Sequence, residues 1–122
     1  MKPLLAILVG TALLISCKKE TSGVQMFRTG TFRTLLEGST AISTATRNDS
    51  LQYETYNGQT DTFDIKWNSN FEYELLNKYP KNELDSTPFV VKITGIKDST
   101  YTFLAHYKGS NFKQKGKAIK LK

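Results

Sequence analysis

The chain has 122 residues, one Cys, one His and a formal net charge of +6. One Cys leaves no internal disulfide and no thiolate metal cluster, so the fold must be held by its apolar core alone. The charge is local: Cys17 to Asp98 carries 10 Lys or Arg against 11 Asp or Glu, whereas Ser99 to Lys122 carries six Lys and no acid. The excess therefore marks one segment, not a generally basic protein.

Met1-Lys2-Pro3 leads into an apolar run from Leu4 to Ile15, interrupted only by Gly10 and Thr11, and then Ser16-Cys17-Lys18-Lys19-Glu20. A positive start, a short apolar stretch and a small residue before a cut are the pattern of an export signal, and the run is too short for a spanning helix. Leu14-Ile15-Ser16-Cys17 resembles a lipobox, the processing site of bacterial lipoproteins. The resemblance implies cleavage between Ser16 and Cys17, a diacylglycerol on the Cys17 thiol and acylation of the freed amine, with the membrane as partner through those chains. Two or more acyl chains anchor a protein stably. Lys18 stands where an Asp would signal inner-membrane retention, which favours the outer membrane and leaves the periplasmic and surface-facing sides open.

Removing 16 of the 122 residues leaves 106, the size of one domain. Residues 17–23 read as a polar tether after a signal helix at 1–16, and residues 24–122 as one β domain.

Apolar residues then recur with period two, as half-buried strands require. Val24 to Leu36 and Thr40 to Arg47 form a first pair, and Asn48-Asp49-Ser50 turns the chain. Leu51 to Tyr56 and Thr62 to Trp67 flank Asn57-Gly58, a strong hairpin signal. Phe63, Ile65 and Trp67 share one face. Asn68-Ser69-Asn70 leads into Phe71 to Leu76, where alternation places Phe71, Tyr73 and Leu75 inward. Glu72 to Lys78 also carries helical propensity. Tyr79 to Pro88, with two prolines, is the longest loop. Strands follow through Phe89, Val91 and Ile93, then Tyr101, Phe103, Ala105 and Tyr107, and a last one opens at Gly109-Ser110 and ends at Ile119 and Leu121.

About eight strands with short connections and no crossover helix predict an all-β antiparallel meander. Such a sheet closes most economically into a lipocalin-like barrel, or a half-open one.

Phe27-Arg28-Thr29-Gly30-Thr31-Phe32, Arg47-Asn48-Asp49-Ser50, Gln52 to Gly58, Ile65-Lys66-Trp67 and Lys115-Gly116-Lys117-Ala118-Ile119 together resemble a family of small β-rich lipoproteins of Gram-negative bacteria, whose role is unknown. The resemblance spans nearly all of the mature chain and implies a fold, with no functional residues to transfer. Proteins of this kind have carried the label DNA topoisomerase IV. The sequence argues against that activity, because the domain is far too small and holds no glycine-rich phosphate loop.

Chemistry-bearing residues are sparse. His106 lies on the strand face opposite Tyr101 and Phe103 and lacks the Cys or second His that a nucleophile system or zinc site needs. Asp61, Asp64, Glu72 and Glu74 are candidates for paired acids, but they alternate with Phe63, Ile65, Phe71 and Tyr73 and lack the spacing of a calcium loop. No catalytic residue, metal or cofactor is expected. Lys108, Lys113, Lys115, Lys117, Lys120 and Lys122 form a basic edge, suited either to an anionic lipid, glycan or acidic envelope protein or to deterring strand aggregation. No aromatics interleave with it as nucleic-acid binding requires. Phe63, Trp67, Phe71, Tyr73, Phe89, Tyr101 and Phe103 either fill the core or line a cavity.

These features predict a non-catalytic, membrane-anchored envelope lipoprotein, monomeric, that binds a partner or envelope component. The alternatives are a lipocalin-like carrier of a small apolar ligand and, further off, an enzyme.

Overall fold

Alternating apolar and polar residues separated by tight turns become eight strands here. The computed structural model describes residues 23–122; the expected signal helix 1–16, the cleavage and lipidation site Ser16-Cys17 and the tether up to residue 22 lie outside the described residues. After a 3₁₀ helix at Val24–Arg28 come β1 (Gly30–Leu36), β2 (Ile42–Arg47), β3 (Leu51–Tyr56), β4 (Gln59–Ser69), β5 (Glu72–Asn77), β6 (Phe89–Lys97), β7 (Thr100–Tyr107) and β8 (Gln114–Lys120). Each strand pairs antiparallel with the next, and β8 pairs with β1, so the meander closes into an eight-stranded barrel.

The turns explain the register. Asn57 and Gly58 both hold positive φ, 55° and 80°, the geometry of a two-residue hairpin turn whose twist matches its strands. Tyr56 accordingly pairs with Gln59, and β4 starts three residues earlier than Thr62. The Glu72 to Lys78 stretch is strand and not helix, because pairing with β4 and β6 outweighs a weak propensity. The loop between Asn77 and Phe89 is held by its own side chains, with Asp85 N–H donating to Asn82 Oδ1 (2.9 Å) and Ser86 Oγ donating to the Glu83 carbonyl (2.7 Å).

Three expectations need correction. The first strand does not run from Val24: residues up to Arg28 turn into the 3₁₀ helix, which lays Phe27 across one end of the barrel, fully buried against Phe32 and Tyr101. Phe71 does not face inward. A β-bulge between Trp67 and Ser69 shifts the register, Phe71 falls in the turn before β5, and its side chain is 50% exposed. The basic segment, finally, is not an edge. β8 is hydrogen-bonded on both sides, to β7 and β1, so its lysines have no free strand edge to protect.

The core fills the barrel interior with Phe27, Phe32, Ile65, Tyr73, Leu75, Val91, Ile93, Tyr101 and Phe103 between the small Ala45, Ala105 and Ala118. Closure depends on Gly116. A Cβ there would lie 2.5 Å from Phe103 Cζ and 2.7 Å from the Leu35 carbonyl oxygen, and the second contact is backbone of the adjoining strand. Gly116→Ala should therefore force the β1–β8 seam apart and cost about 1–3 kcal/mol, read as a lower urea midpoint with faster amide exchange in β1 and β8.

Candidate functional site

The two ends of the barrel differ. The 3₁₀ helix closes the end where β1 begins, and Lys120 Nζ donates to the Met26 carbonyl to hold it there. At the other end, where β3 turns into β4 and the 78–88 loop arches over, a lumen of about 290 Å³ opens between the strands. That is close to the lower limit for small-molecule sites.

The floor of the lumen is built on Arg47, the last residue of β2, which strand alternation turns inward opposite Gln52. It is only 4% exposed. Its Nε donates to Gln52 Oε1 (2.8 Å), Nη1 to the Phe27 carbonyl (2.7 Å), and Nη2 to the hydroxyl oxygens of Tyr73 and Tyr101 (3.1 Å each). The two hydroxyls are 2.8 Å apart. The guanidinium also sits over the rings of Phe32 and Tyr73, at 4.5 and 4.7 Å. Burial works against the Arg47 charge, and the two tyrosine oxygens outweigh it and raise its pKa. Burial likewise pushes the Tyr73 hydroxyl well above the usual phenol range, so Tyr73 stays a protonated donor.

Above this floor the lining is apolar, with Phe63, Leu75, Phe89, Val91 and Phe103, and toward the mouth it becomes acidic, with Glu54, Asp61 and Asp85. Glu54 and Asp61 are direct cross-strand partners. Gln52 Nε2 donates to Glu54 Oε2 at 3.4 Å, linking mouth to floor. Burial raises the Glu54 pKa, Asp61 adds to the rise, and the Gln52 bond and Arg47 oppose it. Tyr107, also at the mouth, is raised by burial and then by Asp85 and Glu54.

A carboxyl whose folded pKa lies above its unfolded value stabilises the fold most when protonated, below the unfolded pKa. That contribution is lost as pH rises through the folded value. Glu54→Gln should therefore raise Tm at pH 7, with the gain shrinking as pH falls to 4, in parallel thermal melts of variant and parent. An unchanged or lower Tm at pH 7 would contradict the buried-charge account.

Of the aromatic candidates, Phe63, Tyr73, Phe89, Tyr101 and Phe103 line this lumen. Trp67 instead packs on Tyr73 (4.8 Å) with Arg28 over its face (4.6 Å), and its buried Nε1–H meets no acceptor among the described residues. Phe71 is outside. Lys108, Lys113, Lys115 and Lys117 are exposed, and Lys115 and Lys117 project from the outer face of β8. Lys120 does not join them, because its register turns it inward to the Met26 carbonyl. Beside Lys115 and Lys117, Leu35, Thr94, Thr102 and Leu104 line a shallow outer groove of about 690 Å³.

The four acids do not converge. Asp61 faces the lumen, Asp64 pairs with Lys78 on the outside (3.3 Å), and Glu72 and Glu74 share Asn68 Nδ2 at 3.1 and 2.7 Å. His106 is half-buried on the outer face, its Nδ1 3.0 Å from the Tyr107 carbonyl. Among the described residues no three His, Cys, Asp or Glu side chains are placed to hold a metal ion. Arg47, Gln52 and Glu54 were not singled out by sequence pattern. The one signal in the sequence is that Gln52 and Glu54 share a strand face opposite Leu51 and Tyr53.

Comparison with family models, with curated proteins and with solved structures returned no significant match.

Proposed function

We propose that the chain is an envelope lipoprotein, anchored through Cys17, whose barrel binds a small molecule in its lumen without transforming it. The observation that carries this reading is the one-ended lumen of about 290 Å³, which runs from a charged floor at Arg47 to an open mouth. A barrel that merely filled its core would have no reason to keep Glu54 inside at a cost in stability, whereas binding sites commonly trade stability for function. The ligand class differs from the apolar one expected of a simple carrier, since cation and carboxylates both line the cavity. Cys17 stands six residues before Gly23, a reach of at most about 22 Å. Gly23 caps the helix at the closed end, so the chain leads from the anchor at Cys17 into the barrel at the end opposite the mouth.

Native mass spectrometry of the exported protein carrying Cys17→Ser, purified from its own host, tests this. The expected result is an added mass of a few hundred daltons at most, lost on denaturation. A bare protein mass at every concentration examined would count against it and favour the second reading. That reading is binding of an acidic envelope partner along β8, which the outer groove beside Lys115 and Lys117 supports.

A further inference from the structure

Resting on the luminal reading, we propose that the ligand is a small zwitterion, with its carboxylate on the Arg47–Tyr73–Tyr101 floor and its ammonium between Glu54 and Asp61 at the mouth.

Proton counting at the floor leads to the carboxylate. Each tyrosine hydroxyl carries one proton, and each oxygen already accepts from Arg47 Nη2. The 2.8 Å contact between them uses one proton. The other has no acceptor among the described residues, although Tyr73 and Tyr101 are only 3% and 1% exposed and both line the lumen. Arg47 has five N–H donors, of which its contacts engage at most four. Its charge faces no carboxylate within ion-pair distance, since the one ion pair among the described residues joins Lys78 to Asp64. The floor thus holds a buried cation and a surplus of donors, which a carboxylate complements as an acceptor-only group.

The mouth requires the opposite charge on the same ligand. A bare anion at Arg47 would sit beneath Glu54, Asp61 and Asp85, all bordering the same narrow lumen. An ammonium removes that repulsion and takes the bonds the carboxylates offer. A metal ion does not substitute, because these acids are not spaced to share one.

Spacing joins the two halves. Arg47 is level with Gln52, and Glu54 lies two residues further along the same face of β3, about 7 Å toward the mouth. Phe63, Leu75 and Phe89 flank that interval. A volume of about 290 Å³ equals roughly ten water molecules in the liquid. An amino acid whose amine and carboxylate are separated by several methylenes fits both the length and the volume.

Calorimetric titration of the exported protein carrying Cys17→Ser with 6-aminohexanoate, hexanoate, hexylamine and 1-hexanol decides the matter. The zwitterion is expected to bind about tenfold or more tighter than each single-charge probe, and hexanol weakest. Tyr101→Phe should weaken 6-aminohexanoate and hexanoate and leave hexylamine unchanged. Glu54→Gln should weaken 6-aminohexanoate and hexylamine and strengthen hexanoate. A merely structural role for either residue would move all four probes together. Equal binding of zwitterion and single-charge probes, or a uniform loss in Tyr101→Phe, overturns the zwitterion and leaves the luminal reading intact. So does a host-derived ligand of another charge class that the probes fail to displace. No probe binding together with a bare native mass overturns both.

Discussion

Replacing Arg47 by Ala is expected to destabilise the barrel by about 3–5 kcal/mol, the range for breaking a buried charged network from one side. The guanidinium is the common partner of Gln52, the Phe27 carbonyl, Tyr73 and Tyr101. Its removal strands these acceptors in the interior and opens a hole beneath the Phe32 and Tyr73 rings on which it is stacked. With a Tm shift of about 4–8 °C per kcal/mol in a domain of this size, the variant should melt well over 10 °C lower. The triple variant Arg47→Met, Tyr73→Phe, Tyr101→Phe separates network from packing. It fills the same space with apolar groups and removes two of the four stranded acceptors, leaving Gln52 and the Phe27 carbonyl, so it should recover about half of the loss. Thermal and urea unfolding of both proteins check this. A single Arg47→Ala variant within about 1 kcal/mol of the parent would show that the network holds nothing together.

Much of the barrel is legible as local pattern, and the site is not, for a physical reason. Period-two alternation in Phe63-Asp64-Ile65-Lys66-Trp67 and in Tyr101-Thr102-Phe103-Leu104-Ala105 declares an inner and an outer face, and Asn57-Gly58 declares its turn. These are interactions between residues near in sequence. Phe71 defeats the pattern because one bulged residue resets the register. Arg47, Gln52 and Glu54 defeat it more deeply, since alternation assigns apolar residues to the interior and these are polar residues inside a closed barrel. Their partners Tyr73 and Tyr101 stand 26 and 54 residues from Arg47. Only closure of the barrel brings them together, and closure rests on the pairing of β1 with β8 across the whole domain.

Phe27→Ala is the complementary test, because it attacks the closed end without touching a strand. A five-residue 3₁₀ helix has no stability of its own, so tertiary anchors hold it in place. The Phe27 ring meets Tyr101 edge-on at 5.0 Å, the Phe27 carbonyl takes the Arg47 bond, and the Met26 carbonyl takes Lys120. Truncating a fully buried Phe costs about 3–5 kcal/mol, and here the loss should fall unevenly. The strand ladder is complete without the helix, so global unfolding should remain cooperative while amides of residues 24–28 exchange far faster than those of β6 and β7. Phe27→Leu, which keeps most of the buried volume, should restore protection. If Phe27→Ala instead exposed every strand equally, the helix would be an integral part of the barrel and not its stopper. If it exposed only the helix, with little global loss, the floor built on Arg47 would stand on the strands alone. The expected result lies between these, because Arg47 belongs to a strand and yet donates to the helix.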